Sequence, residues 1–377
     1  MLSLFIFSLF MIFYTFAGYP LLLWWQSRGK ELVLPVSTKL QHSVDVVLIV
    51  CNEEKNVRNK INNILQMDYP QQLVRLIVVD DCSDDRTAEI VAEFASEKLV
   101  LLKNTTRSGK AHGLNLAMQQ AKADLIFFID ARQKITLNAL RDLSAWFGEG
   151  SSVGAVSGEL LFSVEGSNDV SQGLDAYGRY ERFIRSRESV LSSVPGVSGA
   201  VYMLRRDLFK PIPDDTILDD VLIPMQAIAA GYSVKYDGRV IAYDVPSNDI
   251  EREKRRKTRT IKGNYQLLMR NLQWCIPFYH PAGFEYFSHK VTRLLAPFFT
   301  FVTFMIGLGY GYEGFLLGYL YSLAVAIFIA VYPLSYFFPA AMKFMPVKVM
   351  SAFVALNWFN LLGFFDYCFG KKAKNWK

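Results

Sequence analysis

The sequence predicts an α/β domain, a mostly parallel sheet with helices on both faces, set between an N-terminal transmembrane helix and a C-terminal block of transmembrane helices. Three observations predict it. Short, unbroken apolar runs alternate with helical stretches between residues 44 and 130, and strands buried on both faces read that way. Residues 2–25 carry no charge and are long enough to span a bilayer. A second apolar region runs from about Val291 towards Lys377.

The elements follow in order. Residues 44–51, "VDVVLIVC", form a first strand that ends at "NEE", and a helical stretch runs from Glu53 to about Gln66. "LVRLIVVDD" (73–81) is a second buried strand. "SDDRT" then opens a helix to about Phe94, with Ser83 as a candidate cap and early acids that suit the helix dipole. "KLVLL" (98–102) is a third strand, "RSGKAHGLNLAMQQA" (107–121) a loop and helix, and "DLIFFID" (124–130) a fourth strand. Ligands of such sheets bind beyond the carboxyl ends of the strands. Asn52 and Glu53, Asp80 and Asp81, and Asp130 all stand at those ends. One such acid is readily a helix cap. Three ends in one sheet favour a site for a metal or a polyhydroxyl ligand.

Composition narrows the function. Of the 377 residues, 51% are hydrophobic and 20% charged, and the apolar excess lies at the two ends. The net charge of +6 comes largely from clusters beside the membrane block. They read as a face towards anionic lipid, not as a nucleic-acid surface. The four cysteines are scattered without metal or disulfide spacing. "TTRSGKAHG" (105–113) lacks the phosphate-loop spacing, with Ala111 where a magnesium-binding hydroxyl belongs. No G-x-G-x-x-G follows the first strand, which disfavours dinucleotide binding. Lys110 stands near a helix start, where a phosphate is accommodated.

Taken in order, these segments resemble a membrane-embedded family 2 glycosyltransferase with a GT-A fold, similar to polysaccharide synthases. The series is "NEE", "VVDDCSDDRT", "RSGKAHGLN", "FIDARQ", "VPGVSGAVYMLRRDLF" (194–209), "ILDDVLIPMQAIAAGYSV" (217–234) and "KRRKTRTIKGNYQ" (254–266), over roughly residues 43–290. The resemblance implies an inverting transfer from a nucleotide sugar, UDP-linked, to a polysaccharide or lipid-linked acceptor. Asp220 would be the general base, and Gly199 and Asp219 would face the acceptor. Asn52, Glu53, Asp81, Lys110, Asp130, Arg132, Arg256 and Arg259 would hold the donor, with Asp81 accepting a hydrogen bond from the base. Asp130 takes the first position of the family's D-x-D motif and would hold Mg²⁺ or Mn²⁺ on the diphosphate, a pairing that suits hard cations.

The sequence departs from that pattern in three places. "DAR" (130–132) replaces D-x-D and removes one candidate ligand; Arg132 then either pairs with an acid or itself grips phosphate. "LDD" has aspartate where glutamate is common. "RKTRT" (256–260) stands where processive synthases often have Q-x-x-R-W: Arg259 fits the arginine, Arg256 replaces the glutamine and Thr260 the tryptophan. Two alternatives therefore stay open, a non-processive transfer to one membrane lipid (a polyprenyl phosphate or a ceramide-like molecule) and a non-catalytic partner subunit.

The domains expected are an N-terminal transmembrane helix (1–27), a cytoplasmic GT-A domain (40–263), interfacial helices (264–290), C-terminal transmembrane helices (291–370) and a basic tail (371–377). Arg28 and Lys30 place the end of the first helix, read as a retained anchor, in the cytoplasm. The resemblance implies a bacterial inner membrane, with membrane lipid and other biosynthetic subunits as partners. His289, Lys290 and Arg293 suit the cytoplasmic boundary of the block, and the apolar stretches 294–310, 314–335 and 349–369 add three spans, which would leave the basic tail outside. Either one stretch is re-entrant or interfacial, or 336–349 hides another crossing.

Overall fold

The computed structural model describes residues 1–36, 42–162, 169–245, 250–276, 278–338 and 344–370. The basic tail lies outside them. In chain order the elements are α1 (Leu2–Gln26), β1 (Val44–Val50), α2 (Val57–Leu65), β2 (Val74–Asp80), α3 (Thr87–Ala92), β3 (Leu99–Lys103), α4 (Lys110–Gln120), β4 (Leu125–Ile129), β5 (Lys134–Ile135) and α5 (Ala139–Ser144). Then follow β6 (Val153–Phe162), α6 (Asp169–Leu191), β7 (Val201–Arg205), α7 (Asp219–Ala229), β8 (Ser233–Asp244), α8 (Ile250–Arg270), α9 (Gly283–Tyr312), α10 (Leu316–Phe337) and α11 (Met345–Phe369).

The strands form one sheet in the order β3-β2-β1-β4-β7-β6-β8-β5. The β1–β2, β1–β4, β2–β3 and β6–β8 pairs are parallel; β4–β7, β6–β7 and β5–β8 are antiparallel. The sheet is thus mixed, parallel where the apolar runs predicted it and antiparallel around β7. Side chains alternate across β1. Val47 and Ile49 pack with Leu114 of α4 and Ile223 of α7 on one face, while Val46, Leu48 and Val50 pack with Ile61, Ile64 and Leu140 on the other. Each such residue, wholly buried, contributes about 1.5–3 kcal/mol. Two covered faces explain why β1, β2 and β4 read as continuous apolar runs.

Local expectations shift at the loops. Asn52 adopts a left-handed backbone (φ 55°), and α2 starts only at Val57. Ser83 does not cap α3; its hydroxyl bonds Asp80 and accepts the Asn52 N–H, so it serves the loop between two strand ends. The boundary expected after residue 263 falls inside the continuous helix α8. An ion pair, Lys262 to Asp366 at 2.9 Å, joins α8 to α11.

Among the described residues, four helices are long and apolar enough to cross a membrane: Leu2–Gln26, Gly283–Tyr312, Leu316–Leu334 and Pro346–Phe369. They match the four apolar stretches in the sequence. The second begins earlier than expected, within the segment read as interfacial.

Candidate active site

The crevice lies where β1, β2 and β4 end and α4 and α7 begin. Asp81 directs its carboxylate into the protein. It is fully buried and accepts the N–H groups of Ser108 (2.8 Å) and Gly109 (2.9 Å) and the Asn104 amide (2.8 Å). These bonds hold the loop before α4, where Gly109 takes φ 94°, a backbone that glycine adopts without a side-chain clash. Asn52 is also engaged: its side-chain oxygen accepts the Asp84 N–H at 2.8 Å. Glu53 accepts from the Asn56 amide at 2.7 Å.

The fixed loop delivers Lys110. Its ammonium donates to Asp130 at 3.0 Å and lies 3.5 Å from Asp219. Burial disfavours the charge on Lys110, but Asp130, Asp219 and Asp220 outweigh it and hold its pKa above the usual lysine value. One cation thus joins the end of β4 to the first turn of α7. Asp219 and Asp220 open α7 without a side-chain capping bond. Asp219 Oδ2 and Asp220 Oδ1 are buried and lack a hydrogen-bond partner. Burial and the neighbouring Asp219 raise the Asp220 carboxyl to a pKa of about 6, against the lowering pull of Lys110 and Lys290. A carboxylate tuned towards neutrality, with an open lone pair, is equipped to take a proton.

Gly199 lies against this carboxylate. A Cβ there would stand 3.2 Å from Asp220 Oδ2 and 3.4 Å from Asp220 Cβ. The Asp130 N–H reaches the Ala200 carbonyl at 3.4 Å, so the 199–200 turn touches both acids.

Arg132 turns away from Asp130. Its side chain is 45% exposed and its Nε lies 3.9 Å from Glu53 Oε1, a loose contact that leaves the guanidinium accessible. The loop carrying it is anchored by a residue the sequence did not mark. Lys60 is buried and donates to the Gln133 carbonyl. Burial lowers its pKa to about 8, and Asp130 and Asp244 oppose that shift. Gln133 in turn donates to Asp244 at 2.9 Å. Arg256 sits on α8 with its guanidinium 5.4 Å from the Phe162 ring, and Arg259 is exposed one turn further on.

Two further groups reach the site unannounced. The Tyr202 hydroxyl is buried without a hydrogen-bond partner, and that burial, with the nearby charges of Asp219, Asp220 and Asp130, raises its pKa. Lys290, which the sequence reading placed at the membrane boundary, contributes to the field at Asp220. Among the described residues no cluster of three His, Cys, Asp or Glu side chains is arranged to hold a metal. The donor set fits a divalent cation as a joint ligand: Asp130, 41% exposed, with oxygens of a bound diphosphate.

With the geometry in place, comparison gives it a setting. Residues 45–212 match glycosyl transferase family 2. The chain is similar to poly-β-1,6-N-acetyl-D-glucosamine synthase of Staphylococcus epidermidis, 23% identical over 273 residues, which cover 70% of this chain and 65% of that one. It is also similar to the probable glycosyltransferase YdaM of Bacillus subtilis, 22% identical over 80% of this chain and 70% of that one. The chain thus spans a little under two thirds of the curated synthase it matches. Among solved structures, a mannosyltransferase from Pyrobaculum calidifontis, described in complex with GDP-Man and Mn²⁺, shares the fold over 98% of this chain and 99% of its own, with a TM-score of 0.74 at 21% identity.

Proposed function

We propose that this chain, whose residues 45–212 are a glycosyl transferase family 2 domain, transfers a sugar from a nucleotide sugar to a glycan or lipid-linked acceptor at the cytoplasmic face of a membrane, inverting the anomeric centre. The observation that carries the proposal is Asp220, a half-buried carboxylate with its Oδ1 enclosed and its pKa raised, beside the Asp130–Lys110 pair.

Asp220 removes the proton from an acceptor hydroxyl as that oxygen attacks the anomeric carbon. The bond from that carbon to the diphosphate oxygen breaks, and the nucleoside diphosphate leaves with the electron pair. Attack opposite the leaving group inverts the centre, so an α-linked donor gives a β-linked product. Lys110 holds Asp130 in place and supplies positive charge at the strand ends. Arg132, half exposed at the same edge, is placed to grip phosphate oxygens. Asp130 would hold Mg²⁺ or Mn²⁺ with the donor diphosphate, and the cation would neutralise charge on the leaving group. The Mn²⁺ and GDP-Man of the structural neighbour, and the β-linked polymer named for the synthases, support this reading. The UDP-linked donor comes from the resemblance, and GDP donors belong in the same trial.

The test is nucleoside diphosphate release by the purified chain in detergent, over a panel of UDP- and GDP-sugars with Mg²⁺, Mn²⁺ or chelator. Acceptor-stimulated release from at least one donor is expected; none from any donor overturns the proposal and favours a non-catalytic subunit.

Two variants probe individual residues. Arg132→Asp restores the D-x-D spacing and should steepen the dependence of release on Mn²⁺; an unchanged metal titration removes Arg132 from phosphate binding. Gly199→Ala puts a methyl group 3.2 Å from Asp220 Oδ2 and 3.4 Å from its Cβ, so the carboxylate must give way. Displacement of a catalytic group costs up to about 10²-fold in rate. A fall in kcat of roughly tenfold or more is expected with little change in thermal midpoint, and an unchanged kcat counts against the assignment of Asp220.

A further inference from the structure

The chain from Phe209 to Leu218 leads directly into the two acids that open α7. Two side-chain amides from different helices hold this loop, each as donor and as acceptor. At its start, Asn115 of α4 donates to the Ile212 carbonyl at 2.7 Å and accepts the Ile212 N–H at 3.0 Å. At its end, Gln266 of α8 donates to the Asp215 carbonyl at 2.9 Å and accepts the Ile217 N–H at 3.0 Å. Gln266 is buried, and its one planar amide fixes two backbone units and the spacing between them. Pro211 and Pro213 flank Ile212, and their fixed φ stiffens the stretch between the two amides. Arg270, one turn beyond Gln266, adds a two-pronged pair to the Asp215 carboxylate at 3.0 and 2.6 Å.

Glycine lets the helix come this close. Gly263, Gln266 and Arg270 recur at helical spacing on one face of α8. A Cβ on Gly263 would stand 2.7 Å from Leu218 Cγ and 2.8 Å from Ile217 Cγ2, so the α8 backbone lies directly against the two residues before Asp219. The Leu218 carbonyl accepts the Leu222 N–H at 3.1 Å, so the first turn of α7 is built on a residue that α8 supports. From the other side, the Asp220 carbonyl accepts the Val197 N–H at 2.8 Å. Asp220 thus stands between two backbone supports, the 197–199 turn and the face of α8. The opposite face of α8 is itself held by the helix block. The Tyr265 hydroxyl lies 2.8 Å from Asn360 Oδ1 of α11 and 3.0 Å from the Leu294 carbonyl of α9. Ile261 packs on Gly363 of α11 too closely for a Cβ there.

We infer that Gln266 is a positioning residue for the transfer: through the backbone of Asp215 and Ile217 it holds the first turn of α7 where Asp220 can reach the acceptor hydroxyl. The inference rests on the transferase reading and adds a residue to it that works on the base and not on a substrate. Without its two bonds the end of the loop is slack, and the start of α7 drifts on the Leu218 side while the 197–199 turn stays in place. Misplacement of a catalytic group by about 1 Å costs up to about 10²-fold in rate.

The test compares the wild-type chain in detergent with Gln266→Leu and Gly263→Ala, by hydrogen exchange and by the nucleoside diphosphate release assay over UDP- and GDP-sugars. Leucine has a similar volume and makes neither bond. Alanine at 263 leaves the Gln266 amide in place and presses on Leu218 and Ile217. Backbone amides of residues 215–222 should exchange about tenfold faster in Gln266→Leu, the change expected when about one hydrogen bond's worth of local stability is lost, with β1 and β2 unaffected. Faster exchange throughout the chain would mean a general loss of stability and would overturn the assignment. In both variants kcat, counted per chain that binds donor, should fall roughly tenfold or more while the donor KM stays within about twofold. The fall in kcat and kcat/KM together marks an arrangement needed in the transition state. A raised KM at unchanged kcat, or no change in either, overturns the inference. If Gln266→Leu fails to fold, Gly263→Ala carries both readouts. Wild-type turnover matched by the variants removes the positioning role alone. No release from any donor by the wild-type chain removes the transferase reading itself, and the exchange pattern then still decides whether Gln266 holds the loop.

Discussion

Asp220→Asn should lower transfer by about 10²–10⁴-fold, the range a positioned general base contributes, and should raise the thermal midpoint at neutral pH. The two effects have one cause. The Asp220 carboxyl titrates near 6 in the folded chain because it is buried beside Asp219, against about 3.9 when unfolded. Between those values the folded state holds more protons than the unfolded state. Stability therefore falls as pH rises from about 4 to about 6 and stays lower above it. Asparagine has no charge to bury, so its gain should be full at pH 8 and vanish below about pH 4. Donor binding, measured as a midpoint shift with nucleotide sugar, should survive. Loss of stability and donor binding together would instead make Asp220 a structural residue.

Lys110→Gln should act in the opposite sense on stability. Lys110 bonds Asp130 at 3.0 Å and faces Asp219 at 3.5 Å, with Asp220 close by. Without the ammonium, three carboxylates share one crevice with no cation between them. Asp130 is 41% exposed and solvent screens its share of the loss, so the drop in stability should be about 1–3 kcal/mol, carried mainly by the pair with buried Asp219, and smaller at acid pH, where Asp220 is protonated. Because Lys110 lowers the Asp220 pKa, its removal should also move the acid limb of the rate profile to higher pH. Thermal unfolding at pH 5 and pH 8, with a pH–rate profile, checks both effects. A variant as stable as wild type with an unmoved limb would place Lys110 outside the cluster.

The sequence carried the half of the sheet that is buried on both faces. β1, β2 and β4 cover their two sides with α2, α4 and α7, so all positions but Asp45, Arg75 and Asp80 are apolar and the strands read directly. Helix α6 was not legible. Glu181, Arg182, Arg185 and Glu188 look like a solvated face, yet Glu188 is fully buried against His289 and Tyr19 from helices distant in sequence. Only the folded chain supplies those partners. The site was legible as residue types at strand ends but not as orientations. Asp81 and Asp130 occupy equivalent strand ends; Asp81 turns inward to hold a loop and Asp130 outward to meet Lys110. Spacing along a strand does not decide which way a carboxylate turns when loops compete for its oxygens. Lys290 was read as a membrane-boundary charge, and its reach towards Asp220 depends on how α9 meets the 195–197 loop. The "DAR" departure gains a physical form: Arg132 leaves Asp130 to Lys110 and stays exposed beside Glu53.

The central claim is that Asp220 takes the acceptor proton. The pH dependence of kcat/KM for transfer by the wild-type chain, which reports the pKa values of the free enzyme, tests it most directly. The account predicts an acid limb with a midpoint near 6, the value at which Asp220 loses its proton, shifted upward in Lys110→Gln. A rate that stays flat from pH 8 down to pH 5 would contradict it.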